Sequence, residues 1–205
     1  MPEQPLEPEV LEAVDKFTAE NAAAIIADEG KSFELVGATI EEGSVLNVDA
    51  VTATAPAPEK PEEKERLSTL QKIAKLTVGD RVKLAMTGSK EDRYILIRDG
   101  SRIVSSAVLA SPKISDQEVE TIAAMKNVQE SVLRDIARNR KFMKSYSVVK
   151  NLVNNPRSPL DISLALMKNL LVPDLKALSL NKNVPETLKK IALKNFREKT
   201  SGKKD

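Results

Sequence analysis

Between Arg138 and Lys150 the chain reads "RNRKFMKSYSVVK", gathering Arg138, Arg140, Lys141, Lys144 and Lys150 around Phe142 and Tyr146. Cations set beside aromatics can hold phosphates while the rings stack on bases. The competing reading makes the aromatics core and the cations a solvated helix face, and an aromatic content of only 3% favours it. Three more cations, Lys126, Arg157 and Lys182, stand where a stack of helices would turn, so that with Arg138 they could line one edge as a ridge. Lys126, Arg138, Arg140, Lys141, Lys144, Arg157 and Lys182 are therefore the candidate partner-binding residues.

Catalytic chemistry has less to work with. The sequence contains no cysteine and no histidine, which removes thiolate chemistry, the commonest metal ligands and the one side chain that ordinarily titrates near neutrality. Carboxylates such as Asp92, Asp116, Glu118 and Glu120 remain. The run "DQEVE" reads as the first turn of a helix, where negative charge meets the positive end of the helix dipole. No phosphate-binding G-x-x-x-x-G-K-[ST] loop, G-x-G-x-x-G fingerprint or G-x-S-x-G elbow occurs. The expectation is a non-enzymatic chain with no catalytic residues, no cofactor and no metal.

The net charge of +2 conceals an asymmetry: residues 1–66 carry 16 acids against 5 bases, and residues 67–205 carry 14 against 27. Such a split suits an acidic arm folded over a basic body, or a basic body that meets an acidic partner such as nucleic acid. Solvated charge that merely confers solubility is the third reading. The opening "MPEQPLEPEV" lacks the pattern of a secretory signal, and the apolar run "AAAIIA" falls far short of the ~20 residues of a membrane span. A cytoplasmic protein without membrane contact is expected.

The elements follow from periodicity. Residues 9–29 place Val10, Val14, Phe17, Ala24 and Ile25 along one stripe, with Gly30 as a stop, which predicts one amphipathic helix within an acidic arm, residues 1–40. "SFELVGATI", residues 32–40, reads as an extended segment or loop. Residues 41–61 turn to Pro, Ala and Glu, the stretch "TATAPAPEKPEE" lacks any large apolar residue, and a flexible linker is predicted. A helical-repeat domain is expected over 62–198, opening with Leu67, Leu70, Ile73, Ala74 and Leu76 on one helix face and Thr77 as the next N-cap, and a disordered basic tail over 199–205.

Within that domain the chain repeats itself. Lys126, Asn127, Val128, Glu130 and Asn139 recur 56 residues later as Lys182, Asn183, Val184, Glu186 and Asn195, while Val119, Ile122 and Val132 correspond to Leu175, Leu178 and Leu188. A weaker copy 39 residues upstream matches Gly88 to Asn127 and Gly100 to Asn139. Glycine and asparagine tolerate the left-handed backbone that ends many helices. That predicts helix ends at Gly88, Asn127 and Asn183, and again at Gly100, Asn139 and Asn195. A second pattern, "VLASPKIS" and "LVNNPRSP", recurs at an offset of 44 and stops helices before Pro112 and Pro156. The unequal intervals predict unequal units, each a pair of short helices that buries its stripe only against its neighbours.

The strings "LTVGDRVKLAMTG", "ILIRDGSRIV", "VLASPKI", "MKNVQESVL", "VVKNLVNNPRSPLD" and "LSLNKNVP" resemble an uncharacterised bacterial family of helical arrays related to HEAT and variant leucine-rich repeats. The resemblance spans about residues 67–197 and implies a fold alone. The fold expected is all-α: an irregular α-solenoid, a HEAT-like or variant leucine-rich-repeat-like stack of short helices, with an acidic N-terminal helical arm and flexible linker. The expected function is a scaffold that binds another protein through one face of the stack. The alternative is a nucleic-acid- or ribosome-associated electrostatic binder gated by the acidic arm.

Overall fold

A computed structural model describes residues 7–36 and 69–201 of the chain. The expected linker, 41–61, lies outside the described residues, as do the first positions of the expected repeat domain. Among the described residues there is no strand longer than a single bridge, and helices make up the rest of the regular structure.

The arm differs from a single helix. It forms α1 (Pro8–Glu20) and α2 (Ala22–Asp28), broken at Asn21, whose side-chain amide donates to the carbonyl of Phe17 at 2.9 Å. An asparagine that bonds its own preceding turn competes with the helix ladder there. Val10 and Val14 are buried, Phe17 and Ile25 pack on the main core, and Ala24, expected on the same stripe, is exposed because α2 starts a new phase. Gly30 stops the pair at φ +93°, a backbone state in which a Cβ would be strained.

Residues 69–74 form the described part of α3, with Ile73 buried and Ala74 exposed. Then follow α4 (Val78–Thr87), α5 (Lys90–Leu96), α6 (Arg102–Ala110), α7 (Asp116–Ala124) and α8 (Glu130–Arg138). A 3-10 turn at Phe142–Lys144 leads into α9 (Tyr146–Asn154), α10 (Leu160–Met167), α11 (Val172–Leu180) and α12 (Glu186–Ser201). Thr77 caps α4 as predicted, its hydroxyl accepting from the N–H of Asp80 at 3.2 Å. The helices stop before Pro112 and Pro156 as predicted. α12 continues through Ser201, three residues into the stretch expected to be tail, because the Lys199 ammonium donates to the carbonyls of Lys168 and Leu170 at 3.1 and 3.0 Å.

Most of these helices have ten residues or fewer, too short to persist alone in water. Packing supplies their order. α4 lies against α6 and α6 against α8; α7 lies against α9, α9 against α10, and α12 against both α10 and α11. All eight apolar residues matched across the 56-residue repeat, Val119, Ile122, Val128, Val132, Leu175, Leu178, Val184 and Leu188, are buried. Burying a side chain of this size stabilises by about 1.5–3 kcal/mol. The core divides into two clusters, one from Val14 to Leu152 and one from Val149 to Ala192, and Met143 and Leu166 touch both.

Candidate functional site

The helix connections give the candidate cations their places. Four share one form: Ser111–Ser115 between α6 and α7, Met125–Gln129 between α7 and α8, Asn155–Pro159 between α9 and α10, and Asn181–Pro185 between α11 and α12. The two sequence patterns, KNV and P-[KR], are thus variants of one corner. In each, the residue closing the helix is extended rather than left-handed: Met125 at φ −67° and ψ 132°, Asn155 at −79° and 123°, Asn181 at −71° and 117°. Among the described residues no residue other than glycine has positive φ. The left-handed corners predicted at Asn127, Asn183 and Asn139 are therefore corrected, and Gly88 is extended as well, at φ −67° and ψ −176°. Asn195 closes nothing, because it lies inside α12.

Asparagine is present for its side chain. The carboxamide oxygens of Asn139, Asn155 and Asn181 accept the N–H two residues on, at 3.0, 2.9 and 2.9 Å, which fixes the turn locally. The carboxamide nitrogens reach outward. Asn155 donates to the carbonyls of Ala123 and Met125, both at 2.8 Å, and Asn181 donates to the side-chain oxygen of Asn154 at 3.0 Å. Gln129 likewise donates to the carbonyls of Asp99 and Gly100, both at 2.8 Å. A helix leaves its last carbonyls without intrahelical partners. Here the next corner along the chain bonds those of α7, and Gln129 bonds the carbonyls just past α5.

These bonds tie the ends of α5, α7, α9 and α11 together in order along one edge. Lys126, Arg157 and Lys182 sit on its three later corners, all exposed. Arg138, Arg140, Lys141 and Lys144 gather at the other end of α8, about 13 Å away for a nine-residue helix at 1.5 Å per residue. The structure thus separates the seven candidates into a row of three and a cluster of four, and the ridge expected to include Arg138 does not. Among the described residues only Arg138 of the seven has an ion-pair partner, Asp135 at 4.0 Å. The weaker 39-residue copy fails for the same reason. Gly88 ends α4 on the opposite edge, where Ser111 donates to the carbonyl of Met86 at 2.8 Å, whereas Asn127 lies on the edge of Lys126.

Acids beside the row are already occupied. Arg134 holds both Glu130 and Asp161 at 3.0 Å, and Lys189 holds Glu186 at 2.7 Å. These pairs keep Asp161 and Glu186 below their ordinary carboxylate pKa. Phe142 is buried as core, whereas Tyr146 is half out, accepting the N–H of Leu171 at 3.0 Å and donating to Asp174. Asp174 also binds Lys150 at 2.9 Å, so its pKa is lowered by the tyrosine and lysine together. Burial, followed by that carboxylate, raises the tyrosine.

Three of the four acids considered for catalysis have structural partners, Glu120 accepting from the Ser145 hydroxyl at 2.7 Å. Asp92 completes a capping box with Ser89, and Glu118 completes one with Ser115. Glu118 also meets Arg93 at 2.8 Å with both side chains buried, and Arg93 donates in addition to the carbonyls of Gly88 and Lys113. Burial pushes Glu118 up, and the N–H of Ser115, the guanidinium and the serine hydroxyl more than reverse that, leaving it below its ordinary value. Sequence reading missed this pair, although an arginine on an otherwise apolar helix face was a usable signal.

The second buried pair, Arg81 and Asp99 at 3.0 Å, anchors the arm. Arg81 also donates to the carbonyl of Lys31 at 3.1 Å and lies 5.8 Å from the centre of the Phe33 ring. Burial raises the Asp99 carboxyl, and the N–H of Ser101 and the charge of Arg81 only partly restore it. Beside it the arm adds an extended segment: Gly100 donates to Glu34 at 2.7 Å and Val36 to Arg98 at 2.8 Å around an antiparallel bridge from Leu35 to Asp99. None of the seven cations bonds a described arm residue.

A cavity of about 340 Å3 opens between α5 and α7, lined chiefly by Glu91, Tyr94, Ile95, Arg98, Thr121 and Met125. Among the described residues no group of acids could hold a metal ion, and no helix is long and apolar enough to cross a membrane. No family model, no curated protein and no solved structure matches the chain.

Proposed function

We propose that this chain is a non-enzymatic interaction module, an irregular α-solenoid that binds another protein through one face of its stack. The observation that carries the reading is the chain of side-chain amide hydrogen bonds from Gln129, Asn155 and Asn181, each reaching back to the end of an earlier helix or the corner after it. Such bonds make consecutive helix pairs a rigid, extended surface, and rigid surfaces lose little entropy on binding. The capping duties of Asp92 and Glu118 support the non-enzymatic part. Capture of partners from native lysate on the immobilised full chain tests it. A stoichiometric protein partner is expected; recovery of RNA or DNA without protein would overturn it.

The second reading, a nucleic-acid- or ribosome-associated binder, rests on Arg138, Arg140, Lys141 and Lys144 gathering at one end of α8. It predicts affinity for a duplex that falls steeply with salt, which filter binding across a salt series measures. Gating by the arm gains no support from the described residues, since the arm contacts α4, α6 and the Asp99 corner rather than these cations.

A further inference from the structure

The edge that carries Lys126, Arg157 and Lys182 has a feature that a solubilising surface does not require. Its acids each have an ion-pair partner, Arg134 of α8 shared by Glu130 and Asp161 and Lys189 of α12 for Glu186, whereas Lys126, Arg157 and Lys182 have none among the described residues. Glu130, Asp161 and Glu186 each open the helix that follows a corner, and each is held by Arg134 or Lys189. Each cation precedes its acid by four residues, so charge of both signs lies along the edge while only the positive set lacks an ion-pair partner among the described residues.

The corners are held in place as well. Asn155 fastens its corner to that of Lys126, and Asn181 fastens its corner to the end of α9 next to Arg157. α7 packs on α9 at the separation of about 8–10 Å usual for neighbouring helices, and the 3.0 Å bond from Asn181 to Asn154 brings the end of α11 within a side chain's reach of the end of α9, so the three corners follow one another at about that spacing. An extended polypeptide advances about 3.3 Å per residue. Every third residue of such a peptide therefore meets a corner.

We propose that this row binds an extended polypeptide bearing an acidic side chain at about every third position. The inference rests on the protein-scaffold reading and names the face and the partner chemistry. Two observations favour a peptide over a nucleic acid. A phosphate backbone presents charge continuously, and between the cations it would meet the carboxylates of Glu130, Asp161 and Glu186, whereas a peptide can place neutral residues there. The first corner of the same edge also holds extended polypeptide already: the chain's own residues 34–36, with Glu34 exposed, bond Arg98 and Gly100 through the main chain.

The test is fluorescence anisotropy at low salt on the full chain, with a labelled ten-residue peptide, EGSEGSEGSE, against an isomer with its four glutamates contiguous and a single-stranded oligonucleotide of equal charge. The spaced peptide is expected to bind most tightly, and K126E/R157E/K182E to weaken it at least about tenfold. R138E/R140E/K144E, at the other end of α8, is expected to change it less than about twofold. Equal binding by the row variant, no preference for the spaced peptide, or tighter binding of the oligonucleotide would each overturn the proposal. Thermal melting of both variants separates loss of binding from loss of fold. If the row variant still captures the proteins that the unaltered chain takes from lysate, the row fails while the scaffold reading stands. If the unaltered chain captures none, the scaffold reading fails.

Discussion

Asn155 donates one side-chain amide to the carbonyl of Met125, thirty residues earlier, at 2.8 Å, while its side-chain oxygen accepts the N–H of Arg157 at 2.9 Å. One residue thus fixes its own turn and joins it to the preceding one. Asn155→Ala removes both and should cost about 1–3 kcal/mol by leaving buried carbonyls unsatisfied. Asn155→Asp keeps the turn but sets a carboxylate against two carbonyls, so it should destabilise at least as much. Denaturant unfolding of both variants decides it; a near-neutral Asn155→Asp would show that the inter-corner bond is dispensable.

Arg93 and Glu118 are buried partners that also satisfy the carbonyls of Gly88 and Lys113. Removing either alone, as Arg93→Met or Glu118→Leu, should cost about 3–5 kcal/mol because the other charge stays buried and unpaired. The double replacement should cost less than the sum. A double-mutant cycle by chemical denaturation measures the coupling.

Acid should destabilise the fold through Asp28, Glu118 and Asp174. Lysine and serine hydrogen bonds lower Asp28, Tyr146 and Lys150 lower Asp174, and Glu118 is lowered on balance. A carboxylate whose folded pKa is depressed contributes stability above its ordinary value, 4.5 for Glu118 and 3.8 for the two aspartates, and loses it as pH falls through the folded value. Asp99, raised by burial, acts with the opposite sign, its contribution present below its ordinary value and lost as pH rises through the folded one. Melting temperatures should fall steadily below about pH 4, and Glu118→Gln should flatten that slope.

Val14, inside the arm, belongs to the main core. Val14→Asp should therefore lower the single melting transition of the whole chain by burying an unpaired charge. An unchanged melt would mean that the arm is not part of the cooperative unit.

Gly30 adopts φ +93° with nothing within 4 Å of where a Cβ would stand. Gly30→Ala should cost about 1–2 kcal/mol from backbone strain alone. Loss of several times that amount would mean that the turn also carries packing.

Local chemistry and periodicity determined, from the sequence alone, the helical class, the stops before Pro112 and Pro156, the cap at Thr77, the stop at Gly30 and the apolar residues matched across the 56-residue repeat. Each of these depends on residues within about one turn of each other, or on a period that burial imposes on any helix. The role of asparagine was visible only as a preference: its frequency at corners was legible, but its donors go to carbonyls about thirty residues away that no local pattern reveals. Tertiary packing also decided which corners share an edge, and so split Lys126, Arg157 and Lys182 from Arg138, Arg140, Lys141 and Lys144. It joined the arm to the core through Arg81 and Asp99. Those outcomes follow from which helix lies against which, a property of the folded chain's burial and not of any short stretch of it.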